Sequence, residues 1–121
     1  MSSPIVFFDI AGPEDSKIKD FYSDVFGWKL DSLGNFLTSV VSPSESSQTL
    51  MAAIRNDPSE KVIYIGVESV SDTLNKIVEK GGKIDTSRFE VPGVVVLGLF
   101  MDPAGNRMGL VELENNNVKV P

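Results

Sequence analysis

A chain of 121 residues with neither histidine nor cysteine has a narrow chemical repertoire. Histidine is the usual general base near neutral pH and the commonest metal ligand. Cysteine supplies thiolate nucleophiles, soft metal ligands and disulfides. Any catalysis must therefore run on carboxylates, tyrosine, lysine or water. Asp9 follows the apolar run Ile5-Val6-Phe7-Phe8. It could anchor a cationic ligand or act as a base with a raised pKa. It could equally be a strand-end aspartate bonding nearby backbone amides. Tyr64 could hydrogen-bond a ligand, or stand as an aromatic wall with its hydroxyl toward water. Trp28 could floor a pocket or stack on a flat ligand, or be a core or interface residue. Arg107 could meet an anion or lie exposed at a hairpin. Gly109 could leave room for a ligand or permit close packing. Asp102 and Asn106 are the most motif-like polar residues, and they are expected to build a turn. In Asp102-Pro103-Ala104-Gly105-Asn106 the aspartate can bond backbone further on, proline pre-sets a turn dihedral, and Gly105 or Asn106 can take positive φ.

Composition limits the partners. The formal net charge is −6 with no basic stripe, which argues against nucleic acid, since phosphate binding rests on clustered lysine and arginine. A 41% hydrophobic content suits one globular domain of ordinary size. No apolar stretch approaches the roughly 18 to 20 residues of a membrane span. Met1-Ser2-Ser3-Pro4 lacks a basic n-region, so no secretory signal is expected. With cysteine absent as well, a cytoplasmic protein is expected.

The elements that must position these residues follow from periodicity and breakers. Ile5 to Ile10 reads as a buried strand, broken at Gly12-Pro13. Pro13 suits a first helical position, and Glu14 and Asp15 complement the positive end of a helix. Ile18, Phe21, Tyr22, Val25 and Phe26 recur on one helical face, and Gly27 is a natural stop. Strands are expected from Trp28, from Phe36 to Val41 after a Gly34-Asn35 turn, and from Gln48 to Ile54. The polar Ser42 to Ser47 segment is a connection or a flap. A second series begins with a strand from Lys61 to Val67. Ser69 and Asp72 make a capping-box-like start. Val70, Leu74, Ile77 and Val78 form an apolar helical face, and Gly81-Gly82 ends the helix. Strands from Lys83, from Val94 to Met101 and from Arg107 to Leu113 follow. Glu114 to Asn117 opens a tail expected to fray.

The two halves are alike. Ile63-Tyr64-Ile65-Gly66-Val67 stands where Val6-Phe7-Phe8-Asp9-Ile10 stood, and Gly81-Gly82-Lys83-Ile84 where Gly27-Trp28-Lys29-Leu30 stood. Each half reads strand, helix, then about three strands, too little to bury a good core alone. With Phe7-Phe8-Asp9-Ile10, Phe21-Tyr22 followed by Val25-Phe26-Gly27-Trp28, Tyr64-Ile65-Gly66-Val67, Gly81-Gly82 and the Asp102 to Asn106 turn, the chain resembles the vicinal oxygen chelate superfamily. This is the glyoxalase, bleomycin-resistance and extradiol-dioxygenase group. The resemblance implies an α+β fold of paired βαβββ modules forming a cupped mixed sheet with helices outside. It places the domain at residues 1–114, with modules at about 4–57 and 60–114 and a tail at 115–121. Strand alternation gives a matching division of faces. Val6, Phe8 and Ile10 would pack on one helix, and Ile63, Ile65 and Val67 on the other. Phe7, Asp9, Val62, Tyr64, Arg107, Gly109 and Val111 would face inward.

Metal-dependent relatives place histidines or carboxylates early in each half's first strand and a glutamate on each half's last strand. The resemblance puts Phe7, Val62 and Gly109 at three of these positions and the fourth near Met51 to Ala53. The first three cannot bind a metal through their side chains and the fourth shows no obvious ligand, while metals need several converging N, O or S donors. A shift of alignment could reach Asp9 or Glu112 but cannot create a histidine. No metal and no other cofactor is therefore expected. The expectation is a metal-free small-molecule binding protein resembling bleomycin-resistance proteins. It would hold an apolar or aromatic ligand among Phe7, Asp9, Trp28, Val62, Tyr64, Gly109 and Val111, and act as a homodimer. The alternatives are a divergent glyoxalase-like lyase, isomerase or dioxygenase-related enzyme, and a module whose cup serves a partner chain.

Overall fold

A computed structural model describes residues 2–33, 37–41 and 51–121 of the chain. The Gly34-Asn35 turn and the Ser42 to Ser47 segment lie outside them, as do the ends at Phe36 and at Gln48 to Leu50 of two expected strands. The chain forms two compact units, one of Phe7–Val62 and one of Met1–Val6 with Ile63–Pro121. Each repeats the βαβββ order, and together they make an α+β protein of paired modules.

In the first module β1 (Ile5–Gly12), α1 (Asp15–Phe26), β2 (Lys29–Leu33), β3 (Leu37–Val41) and β4 (Met51–Asn56) follow in order. The strands lie side by side as β2-β3-β4-β1. β1 and β4 are parallel, with Phe7 opposite Met51, Asp9 opposite Ala53 and Ala11 opposite Arg55. β3 is antiparallel to both its neighbours. The helix starts later than its composition suggested. Glu14 is the residue before the first turn and sits in the left-handed region at φ 58°, so Pro13 belongs to the approach and not to the first turn. The end is as expected: Gly27, at φ 71°, donates its N–H to the Ser23 carbonyl at 2.9 Å.

The apolar face of α1 is only partly covered. Ile10, Lys17, Ile18, Phe21 and Tyr22 line a groove of about 300 Å³. Phe21, Val25 and Phe26 remain more than half exposed. The rings cover one another instead: Trp28 lies nearly parallel to Tyr22 at 4.7 Å between centroids, and Phe21 meets Tyr22 edge-on at 5.2 Å.

The second module runs β5 (Glu60–Val67), α2 (Val70–Glu79), β6 (Lys83–Val91), β7 (Val95–Met101), β8 (Arg107–Glu114) and a short β9 (Asn117–Val118). The order across the sheet is β5-β8-β7-β6, with β9 on the other end of β8. Alternation decides the packing. Val67, Val70, Leu74, Phe100 and Leu110 form a buried cluster, joined by Ile65, Ile77 and Met108. Each such side chain contributes about 1.5–3 kcal/mol on burial. Val78 leaves the expected helical face and is 51% exposed. Gly98 lets β7 approach the helix, because a Cβ there would lie 2.6 Å from Val70 Cγ1 and 3.3 Å from Leu74 Cδ1.

The start of α2 is fixed twice. Ser69 Oγ accepts from the Asp72 N–H at 3.1 Å, and buried Glu112 on β8 accepts from the Val70 N–H at 3.0 Å. Arg88 from β6 reaches the same carboxylate, with Nη2 3.2 Å from Oε2, and Lys119 Nζ lies 3.4 Å away. The tail is therefore anchored and does not fray. β9 pairs with β8, the Lys119 N–H donates to the Glu112 carbonyl, and the Gly93 N–H donates to that of Pro121. Asn115 and Asn116, both at positive φ, make the tight return that composition alone read as a loose polar end. The Asp102 turn is as expected. Asp102 Oδ1 accepts from the Ala104 and Asn106 amides at 2.9 Å, Oδ2 accepts from Asn106 Nδ2, and Gly105 takes φ 88°. The Asn106 side chain, followed by its backbone N–H, holds the Asp102 carboxyl below its usual value. Among the described residues no helix is long and apolar enough to cross a membrane.

Gly98→Ala is expected to cost about 1–3 kcal/mol by overpacking against α2, read as a lower urea midpoint at unchanged m-value. Burial alone would raise the Glu112 carboxyl, but the hydrogen bonds from Arg88, Val70 and Lys119 and the charge of Arg88 hold it below the usual glutamate value. A carboxyl lower in the folded than in the unfolded chain stabilises the fold above its unfolded pKa, near 4.3. That contribution declines as pH falls through this range to the lower folded value. Glu112→Gln should thus lose roughly 1–3 kcal/mol at pH 7 and show a flatter acid limb in denaturant melts between about pH 5 and 3. An unchanged acid limb would remove Glu112 from this role.

Candidate functional site

The inward face of the first module centres on Asp9, which is 1% exposed. Its partner is one that reading single strands missed. β4 alternates, so Ala53 and Arg55 share a face, and the parallel register sets Ala53 opposite Asp9. Arg55, two residues further, lays its guanidinium along the carboxylate. Nε is 3.1 Å from Oδ2 and Nη2 is 3.1 Å from Oδ1. The same guanidinium reaches Asp57 through Nη1 and Glu60 through Nη2, each at 2.9 Å. Asp9 is thus engaged by an arginine and is not an open base. It is the buried half of an ion pair that spans two strands. The available signal was the isolated arginine after Ala52-Ala53-Ile54 on a strand flanking β1. Removing either partner of such a pair leaves an uncompensated buried charge.

The inward face of the second module centres on Tyr64 and Gly109. β5 and β8 are parallel with these two residues directly opposite. Tyr64 is 5% exposed, and its ring lies on the bare backbone of Gly109. A Cβ on Gly109 would collide with Cδ2 and Cε2 of that ring. Of the two roles open to Gly109, close packing is the one realised toward Tyr64. Val111, one step along the same face of β8, is fully buried. Arg107 at the start of β8 has Nε 3.2 Å from Asp85 Oδ2, so its charge meets a carboxylate on β6.

The seven predicted residues are placed module by module. Tyr64, Gly109 and Val111 share one sheet face in the second module. Asp9 joins Arg55 in the first, and half-buried Phe7 stands two residues before it on the same face. Val62, on β5, is fully buried. Trp28 is drawn into the ring cluster of α1, against Tyr22. Glu112, considered as a stray ligand, faces the opposite side of β8 and is committed to α2 and Arg88.

The donor set does not fit a divalent metal of the kind the fold implies. Register sharpens the fourth position: Gly109 stands opposite the residue two beyond Val62, and the residue opposite the one two beyond Phe7 is Ala53. Phe7, Ala53, Val62 and Gly109 offer no side-chain donor. Among the described residues no three histidine, cysteine, aspartate or glutamate side chains are grouped to hold an ion.

The profile of the Glyoxalase/Bleomycin resistance protein/Dioxygenase superfamily matches residues 5–110. No curated protein matches the sequence. Solved structures share the fold at low identity. One is a Streptomyces coelicolor methylmalonyl-CoA epimerase variant in complex with 2-nitronate-propionyl-CoA, at 13% identity and TM-score 0.66, with both chains covered in full. Another is the methylmalonyl-CoA epimerase from Mycobacterium tuberculosis, at 13% identity and TM-score 0.65, covering 91% of this chain and 87% of that one. A hypothetical protein from Bacillus halodurans matches at 12% identity and TM-score 0.68, covering 98% and 100%. With the profile spanning both βαβββ modules, this chain belongs to the glyoxalase, bleomycin-resistance and dioxygenase superfamily.

Proposed function

We propose that this chain is a metal-free small-molecule binding protein of the glyoxalase and bleomycin-resistance type. It holds an apolar or aromatic ligand against the inward strand faces and works in the cytoplasm as a homodimer. One observation carries the reading: the fold is kept while Phe7, Ala53, Val62 and Gly109 stand where donors would be needed. Apolar walls with few polar groups are the usual character of a small-molecule site. The exposed Phe21, Val25 and Phe26 on α1 are the apolar surface that supports dimerisation.

An isomerase or lyase is the second reading, favoured by the epimerases among the solved structures that share this fold. A metal-free proton transfer would need a carboxylate that reaches substrate. The best-placed one, Asp9, is held by Arg55, which weighs toward binding.

Native mass spectrometry of the protein taken from its own cell extract is expected to show a co-purifying organic molecule. Added Zn, Ni or Mn is expected to leave the melting temperature without a saturable rise. A saturable metal-dependent rise, lost in Asp9→Ala, would overturn the reading. Sedimentation at micromolar concentration should give twice the monomer mass; a monomer there would refute the dimer.

A further inference from the structure

We infer that Tyr64 and Gly109 form a coupled pair. The tyrosine ring holds the volume that a carboxylate side chain at position 109 would need, so packing as well as ligand loss keeps a metal centre out of this module. The inference deepens the metal-free reading and rests on it for its functional meaning.

A glycine inside a strand bares its backbone and weakens the sheet. An aromatic side chain directly across can cover it. Here the register places Tyr64 directly opposite Gly109, and the ring lies on it. The atoms that a Cβ would strike are Cδ2, Cε2 and Cγ, the inner part of the ring and not a flexible tip. The ring has little freedom to swing aside. Tyr64 is 5% exposed, and the same sheet face carries buried Val111 beside Gly109 on β8 and buried Leu99 opposite it on β7. A side chain at 109 must therefore displace a packed ring, which costs far more than filling empty space. A glutamate at position 109 fits only beside a small residue at position 64.

A thermal-unfolding cycle tests the coupling. Its four members are the wild type, Gly109→Glu, Tyr64→Ala and the double variant. Gly109→Glu is expected to lower Tm by roughly 5–10 °C beside Tyr64, and by less than half as much in the Tyr64→Ala background. Should the glutamate variant fail to fold, Gly109→Ala takes its place in the same cycle with the same expectation. Equal losses in both backgrounds, or no loss beside Tyr64, would overturn the inference. The two readings fail separately. Saturable metal binding by the wild type would defeat the metal-free reading and leave the coupling intact. Additive Tm losses would defeat the coupling and leave the metal-free reading standing.

Discussion

Parallel pairing of each module's first strand with its last governs what this protein can do. Side chains on a strand alternate between faces, so one register sorts every residue on both strands at once. On β1 and β4 it puts Asp9 beside Ala53 and brings Arg55 within reach. On β5 and β8 it puts Tyr64 over Gly109 and sends Ile65, Val67, Met108 and Leu110 toward α2. A slip of one residue would turn Ile65, Val67, Met108 and Leu110 away from α2 and bring Tyr64, Gly109 and Val111 toward it. The buried cluster around Val70 and Leu74 is what prevents that slip.

Two buried carboxylates show how the fold uses charge without offering it to a ligand. Asp9 is met by Arg55, and Glu112 by Arg88, Lys119 and the first amide of α2. Each pair links elements that are distant in sequence. Burying such ions gains little net stability unless the geometry is good, but breaking one partner is expensive. They act as register marks. Asp9 is tied to the β1 and β4 pairing, and Glu112 joins β8, β6, α2 and the returning tail. The second arrangement explains why a polar C-terminal segment is ordered: it closes on a carboxylate whose charge the helix start also needs.

The donor positions tell a consistent story when taken with their neighbours. Phe7 and Ala53 in one module, and Val62 and Gly109 in the other, cannot ligate through side chains. The nearest carboxylates are each already engaged by arginine. Each of these four positions carries an apolar side chain or none.

The sequence by itself determined the family, the repeated βαβββ order, the two helices with their glycine stops, the Asp102 turn and the division of strand faces. These depend on local periodicity and turn chemistry, which a single segment carries. It also determined that histidine and cysteine chemistry are absent. The partner of Asp9, the fate of Glu112, the ring over Gly109, the late start of α1 and the anchored tail were decided only by tertiary structure. Arg55 is 46 residues from Asp9 and Val70 is 42 from Glu112, so no local pattern could join them. Gly109 had two readings of equal merit until a cross-strand neighbour occupied its space. Trp28, expected to floor a pocket or to be a core or interface residue, stacks on Tyr22 of α1.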